Sequence, residues 1–363
     1  MDELLSSVNL EWRERAREVA NKSVRPLAAH YDRVQEYPWE IKQAVCDAGL
    51  MGVWIPEEYG GAGAGVLNLC LVVEEISRAC GGVGVLYAVN ALGSFPILVA
   101  GTDEQKQRFL PAVASGEKLI AFGLSERDAG SDAGGLTTTA REDGDSYVID
   151  GAKKWTTNGG AADYYTVFAV TDASSRSRRI SAIIVEKGDD GFEIGRVEDK
   201  MGIRCVPVVE LGFDGCRVPK DRVLGGKPGL GFKHAMMTLD RARPGVAAQA
   251  VGLAQGALDY ALAYTTRRKQ FGQTLTGFQM IQQMLADMAT KVEAARQLVY
   301  ASARMIDAGA KDITSGAAKA KLFATNVAME VTTNAVQLFG GYGYMRDYPV
   351  EKFMRDAKIT QIY

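Results

Sequence analysis

Apolar and polar positions along this chain follow three successive regimes. From Leu10 to Ala29 and from Trp39 to Ala48 apolar residues recur at helical spacing, which predicts two amphipathic helices. The run Gly49 to Ile55 gives way to a loop by composition, Pro56 to Gly63, before a longer helix from Val66 to Arg78. An uncharged stretch from Ala79 to Gly101 predicts another helix, interrupted near Gly93 to Pro96, with Asn90 and Ser94 one turn apart. Those two polar groups are expected to satisfy backbone or water, the alternative being that they line a ligand cavity. Gln105 to Ser115 closes this helical part.

Between about Leu119 and Gly226 the period shortens to two. Tyr147–Ile149, Tyr165–Val170, Ile180–Val185 and Val208–Phe213 are bounded by Gly, Asp and Ser clusters, as strands of an antiparallel sheet should be. The basic stretch Ser174 to Arg179 reads as a hairpin loop, a solvated tip or a steering patch for an anion. From Phe232 onward the helical period returns and holds over Leu239–Thr266, Phe278–Ile306 and Ser315–Phe339. The expected class is α+β: an N-terminal helical domain (1–118), a central antiparallel β domain (119–228) and a C-terminal helical bundle (229–363).

Composition narrows the partners. A chain of 363 residues can bury a large core and should divide into two or three domains. A formal net charge of −2 argues against nucleic acid or an anionic membrane as the main partner, since both need a concentrated basic face. The uncharged stretch has the length of a membrane span but carries Gly81, Gly82, Gly84, Gly93, Asn90, Ser94 and Pro96, so a buried helix is expected. Five cysteines with no CxxC pair disfavour a disulfide framework and a zinc site, and fit a reducing compartment. Charges begin at Asp2 and Glu3, unlike a secretory signal; cytoplasm is expected, or the mitochondrial matrix for a processed form.

The chemistry is restricted by what is rare. Only two histidines occur, His30 and His234, both in helical stretches, which leaves little room for a nucleophilic triad or a metal centre. No P-loop is present, and Gly340-Gly341-Tyr342-Gly343 follows a helix rather than a strand, so it lacks the context of a dinucleotide fingerprint. Three stretches stand out instead. Phe122 to Asp132 (FGLSERDAGSD) centres on a turn able to offer bare N–H groups to a polar ring or phosphate. Lys154 to Gly160 (KWTTNGG) and Gln337 to Gly343 (QLFGGYG) follow it. Each alone is an ordinary turn, packing motif or helix end.

Together, in this order, they resemble the acyl-CoA dehydrogenases, and the resemblance runs over essentially the whole chain. It implies FAD lying between the sheet domain and a C-terminal four-helix bundle, completed by a neighbouring subunit of a homotetramer built as a dimer of dimers. Phe122 to Ser131 would contact the flavin through backbone groups, Leu124 and Gly130 among them, with Ser125 reaching the pyrimidine ring. Trp155, Thr156 and Thr157 would flank the isoalloxazine, Thr157 offering its hydroxyl to N5. Arg268 would neutralise the pyrophosphate of the neighbour's FAD, with Phe271, Gln279, Gln337, Gly340 and Gly341 holding the rest of it. Ser131, Asp240, Arg243 and Tyr363 would meet the acyl-CoA, with a structural ion pair as the alternative for Asp240 and Arg243. Pro244 suits the first turn after a helix break.

The implied reaction is α,β-dehydrogenation: a carboxylate takes the α-proton of an acyl-CoA and the β-hydride goes to the flavin, whose electrons then pass to an electron-transferring flavoprotein. An acyl-CoA oxidase, a related flavin monooxygenase or nitroalkane-type oxidase, and a non-catalytic flavin-binding homologue are the alternatives. Family members carry the base at one of two places. One corresponds to Ala242, which is excluded. The other comes directly after the tyrosine matching Tyr363, so the native polypeptide is expected to continue with glutamate there. Glu351 and Asp356 are expected to pair within their helix. The family's tyrosine and proline near Phe122 and Arg127-Asp128 are missing here, which leaves acyl length, branching or ring character open.

Overall fold

A computed structural model describes residues 2–363. The first third is helical: α1 (Ser7–Val19), α2 (Ala28–Val34), α3 (Trp39–Asp47), α4 (Gly65–Ala79), α5 (Gly81–Ala100) and α6 (Asp103–Ser115). Capping fixes two of the starts. Ser6 and Asn9 form a reciprocal capping box on α1, and Thr102 and Gln105 form one on α6, each satisfying orphan N–H donors. Between α4 and α5 the chain turns at Cys80, which is extended.

Helix α5 is long and apolar enough to cross a membrane, yet 72% of its most apolar stretch is buried inside the fold. The interruption expected near Gly93 to Pro96 does not occur, and the helix runs through Pro96. Tertiary contacts take over where proline disturbs the ladder. The Gly93 carbonyl accepts from the Thr166 hydroxyl at 3.0 Å, and Ser94 accepts from the Trp54 indole at 2.8 Å. Asn90 donates to the Leu86 carbonyl and accepts from Ile120 N, as expected of a buried amide.

The sheet contains β1 (Ile120–Gly123), β2 (Thr139–Asp143), β3 (Ser146–Thr157), β4 (Tyr164–Val170), β5 (Ile180–Glu186), β6 (Phe192–Val197) and β7 (Val208–Pro219). Its path is β1-β4-β2-β3-β7-β6, with β5 also on β4. Pairing is antiparallel along β2–β3, β3–β7, β4–β5 and β6–β7; β1 runs parallel to β4, and β2 meets β4 in parallel at Thr139 and Val170.

The last third is a four-helix arrangement of α7 (Gly231–Thr265), α8 (Gln279–Asp307), α9 (Thr314–Phe339) and α10 (Val350–Ile362). A small hairpin, β8 (Lys269–Gln270) and β9 (Gln273–Thr274), stands between α7 and α8 where a plain break was expected. No break precedes Pro244, which lies inside a 35-residue helix starting before Leu239. Burial explains the continuity: α7 is the central helix, packed on α4, α5 and α9. Its small residues permit close approach. A Cβ at Gly252 would stand 2.3 Å from the Glu74 carbonyl, and one at Gly256 2.5 Å from that of Arg78.

Helix α10 is fastened to the rest of the molecule by charge. Asp356, fully buried, accepts from Lys352 Nζ at 2.5 Å and from Ile203 N at 2.6 Å. Lys352 Nζ also donates to Cys80 Sγ at 3.2 Å. Arg355 pairs with Glu351 and reaches Asp32 at 2.7 Å, so Glu351 and Asp356 are both engaged in ion pairs.

Candidate active site

The site begins where β1 ends. Past Gly123 the chain enters a tight turn in which Glu126 N donates to Ala129 O at 3.0 Å and Ala129 N returns to Glu126 O at 3.3 Å. Phe122, Leu124 and Ser125 are half-buried, and Gly130 and Ser131 are exposed. A Cβ at Gly130 would meet nothing within 4 Å. The Glu126 carboxylate points inward and gathers the following loop, accepting from Thr137 N at 2.6 Å and Thr138 N at 3.0 Å.

A second stretch lies against this one because β3 is bulged. Lys153 faces Leu211 and Thr156 faces Val209, so β3 carries one residue more than β7 between those pairs. The extra residue puts Trp155 at φ 58°, a left-handed conformation that bulky side chains rarely adopt, and leaves the residue 53% exposed. Strain of this kind collects at functional sites. Lys154 N donates to Ser125 O at 2.9 Å, which joins the bulge directly to the Phe122–Asp132 stretch. Thr157 is half-buried, whereas Thr156 is buried with no hydrogen-bond partner for its hydroxyl among the described residues. Asn158, at φ 62°, donates to Leu86 O at 3.1 Å and anchors the end of the bulge to α5.

The remaining predicted cofactor residues gather elsewhere, at the far end of the bundle. Arg268 follows α7 and lies over the Tyr342 ring at 5.6 Å. Phe271, 93% exposed at φ 51°, forms the hairpin tip with Gly272. Gln279 opens α8 and Gln337 closes α9, both exposed. Gly340 sits at φ 59° and ψ −137°, which only glycine adopts freely, and neither Gly340 nor Gly341 has an atom within 4 Å of a would-be Cβ. Tyr264 stacks on Phe339 at this end, centroids 4.0 Å apart. Among the described residues, no hydrogen bond, ion pair or ring contact joins this group to the Ser125–Trp155 group.

The predicted substrate residues fall into three places: Ser131 in the glycine turn, Asp240 with Arg243, and Tyr363. Asp240 pairs with Arg243 at 2.5 Å and accepts from the Thr314 hydroxyl at 2.6 Å, the structural ion pair foreseen as one option; Ala242 is half-buried beside them. Tyr363, at the end of α10, donates its hydroxyl to the Gln249 amide oxygen. Gln249 in turn donates to Gly81 O at 2.9 Å, tying α7 to the start of α5. Sequence reasoning missed Gln249, although a lone amide within the small-residue run Gly245 to Ala254 marks it. His234 is buried and its imidazole is held below the usual range, first by burial and then by Lys233, so it stays neutral.

The residues present suit a flavin. An open glycine turn and an exposed strained indole are joined by one backbone hydrogen bond, while a guanidinium beside open glycines offers a second, polar cradle. The arrangement is that of a flavin-dependent oxidoreductase built on a helical–β–helical scaffold. Family models for the acyl-CoA dehydrogenase N-terminal, middle and C-terminal domains match residues 7–117, 121–216 and 229–363. A short-chain specific acyl-CoA dehydrogenase of Clostridium acetobutylicum is 49% identical over 352 residues, 97% of this chain and 92% of that one. The structure of butyryl-CoA dehydrogenase from Megasphaera elsdenii superposes with a TM-score of 0.97 at 45% identity, covering 100% of this chain and 96% of that one. A chain solved in work on the electron transferring flavoprotein of Acidaminococcus fermentans gives a TM-score of 0.97 at 49% identity, covering 100% and 95%. This chain belongs to the acyl-CoA dehydrogenase family, and its cofactor is FAD.

Proposed function

We propose that this chain carries out α,β-dehydrogenation of a short acyl-CoA thioester and passes the electrons to an electron-transferring flavoprotein. The observation that carries the reading is the Lys154 N to Ser125 O hydrogen bond, which sets the strained Trp155 bulge beside the Phe122–Asp132 turn. Similarity to a short-chain enzyme and to butyryl-CoA dehydrogenase supports the substrate class. The match to a chain from electron transferring flavoprotein work supports the acceptor.

When bound, FAD supplies a two-electron acceptor for the bond that becomes a double bond. The chain's own residues do the rest. Backbone groups of Phe122, Leu124, Ser125, Gly130 and Ser131, together with Trp155, Thr156 and Thr157, hold the ring system. Arg268, Phe271, Gln279, Gln337, Gly340 and Gly341 hold the nucleotide end of a neighbouring copy's cofactor. The separation of the two groups within one chain supports that sharing, and so a homotetramer assembled as a dimer of dimers. Trp155, exposed at the edge, lies on the route to the acceptor protein. Ser131, Asp240, Arg243 and Tyr363 would meet the thioester end. Five free cysteines suit a reducing cytoplasm.

Anaerobic titration of the full-length protein with butyryl-CoA and longer acyl-CoAs tests the reading. Stoichiometric bleaching of the flavin by the short thioester, with slow reoxidation by oxygen, is expected. Rapid oxygen consumption without need of an acceptor protein, or no bleaching by any acyl-CoA, overturns it.

A further inference from the structure

Beneath the two stretches assigned to the flavin ring lies one ion pair that the reaction does not use. Lys153 Nζ meets Glu126 Oε1 at 2.6 Å, with side-chain exposures of 0% and 7%. Glu126 belongs to the turn after β1, and Lys153 stands two positions before Trp155 in β3. The pair therefore links the same two segments as the Lys154 N to Ser125 O bond, on their buried side. Its stem passes under the turn: Lys153 Cγ lies 3.6 Å from where a Cβ on Gly123 would be. Both carboxylate oxygens are engaged, Oε1 by Lys153 and Thr138 N, Oε2 by Thr137 N and the Thr137 hydroxyl at 2.8 Å. Burial alone would raise the Glu126 carboxyl, but the hydrogen bonds from Lys153, Thr138 and Thr137 outweigh it and hold it down to about 2. Burial lowers the Lys153 ammonium to about 8 against the pull of Glu126, so both groups are charged at neutral pH.

An ion pair this deep is weak evidence for stability, because well-packed apolar residues of similar volume commonly serve as well or better. What it supplies that an apolar pair would not is direction. Four donors converging on two carboxylate oxygens set how far the turn stands from the bulge, and with it the conformation of Trp155. We infer that Glu126 and Lys153 are positioning residues that set the spacing between the two flavin-facing stretches. This rests on the flavin reading above, and neither side chain touches the ring system in it.

The test uses full-length protein carrying Glu126→Gln, Lys153→Met, or both. Each single change strands a buried charge or turns an amide N–H₂ against the Thr137 and Thr138 donors, so a lower unfolding midpoint is expected. The double variant removes the stranded charge and should regain most of that midpoint, yet it cannot rebuild the clamp. In the double variant FAD should bind at least tenfold more weakly to apoprotein, and the bound flavin's visible spectrum should shift. Amides of residues 154–157 should exchange with deuterium at least tenfold faster than in wild type. A double variant with wild-type midpoint, FAD affinity and exchange rates reduces the pair to a structural feature and overturns the inference. If the wild-type apoprotein takes up no FAD, the flavin reading fails instead, and the exchange rates still decide whether the pair sets the bulge.

Discussion

Asp356→Ala is the substitution whose effect follows most directly from the geometry. Asp356 is fully buried, and its two oxygens serve Lys352 Nζ and Ile203 N. Removing the carboxylate leaves the Lys352 ammonium, itself only 10% exposed, with Cys80 Sγ as a weak partner. Breaking a buried pair from one side costs about 3–5 kcal/mol. Loss of the charge-assisted bond to Ile203 N overlaps with that figure, so about 4 kcal/mol is the working value. With an unfolding entropy of roughly 2.1 cal/mol/K per residue over the whole chain, this is a fall of about 5 °C in midpoint if unfolding is cooperative. Thermal unfolding by circular dichroism at a fixed scan rate reads it. Asp356→Asn keeps an acceptor for Ile203 N, and paired with Lys352→Met it should recover at least half of the loss. An Asp356→Ala protein melting within about 1 °C of wild type would show that the Asp356–Lys352 pair adds little to what holds α10.

Other expectations concern the site. Arg268 is exposed, so Arg268→Gln should leave the apoprotein midpoint unchanged while weakening FAD roughly tenfold to a hundredfold, the worth of a charged hydrogen bond; equal affinity refutes the assignment. Gly341→Ala adds a methyl to open space at an exposed position, so the fold should be indifferent to it, and undiminished FAD uptake by the variant would mean that no ligand passes there. The Glu126 carboxyl, held down to about 2 against about 4.3 in an unfolded chain, contributes stability that is fully present above that higher value. That stability is lost as pH falls toward 2, and Glu126→Gln should flatten this part of a stability–pH profile; an unchanged slope counts against the pair.

The helices were legible because their apolar period is long and regular, and four strands were legible because their inner faces are rich in β-branched residues. Those that escaped had no such pattern. Thr139–Asp143 reads TARED, and Phe192–Val197 is an edge strand exposed along most of its length. Pro96 and Pro244 predicted breaks that burial overrode, because helix packing outweighs a single missing N–H. At the site, the motif stretches were recognisable in order. What brings them together was not: the bulge at Trp155 depends on register against β7, and the Glu126–Lys153 pair joins positions 27 residues apart. Nor could spacing separate Asp240 and Arg243 as ligands from Asp240 and Arg243 as each other's partners, an i,i+3 relation that satisfies both readings.

Helix α5 sets a timing problem for synthesis. Its neighbours arrive at different moments: α4 precedes it, α6, β1 and β4 follow soon after, but α7, the element it packs on most extensively, ends only at Thr265. At about 5–20 residues per second, a ribosome needs roughly ten to thirty seconds to translate from the end of α5 to the end of α7. Throughout that interval the nascent chain displays a helix that a membrane insertion machinery would accept by length and apolarity. Asn90 and Ser94 within α5 weaken that signal while bonding to the finished core, so the same polar groups that tie the helix into the fold also help keep the unfinished chain out of the bilayer.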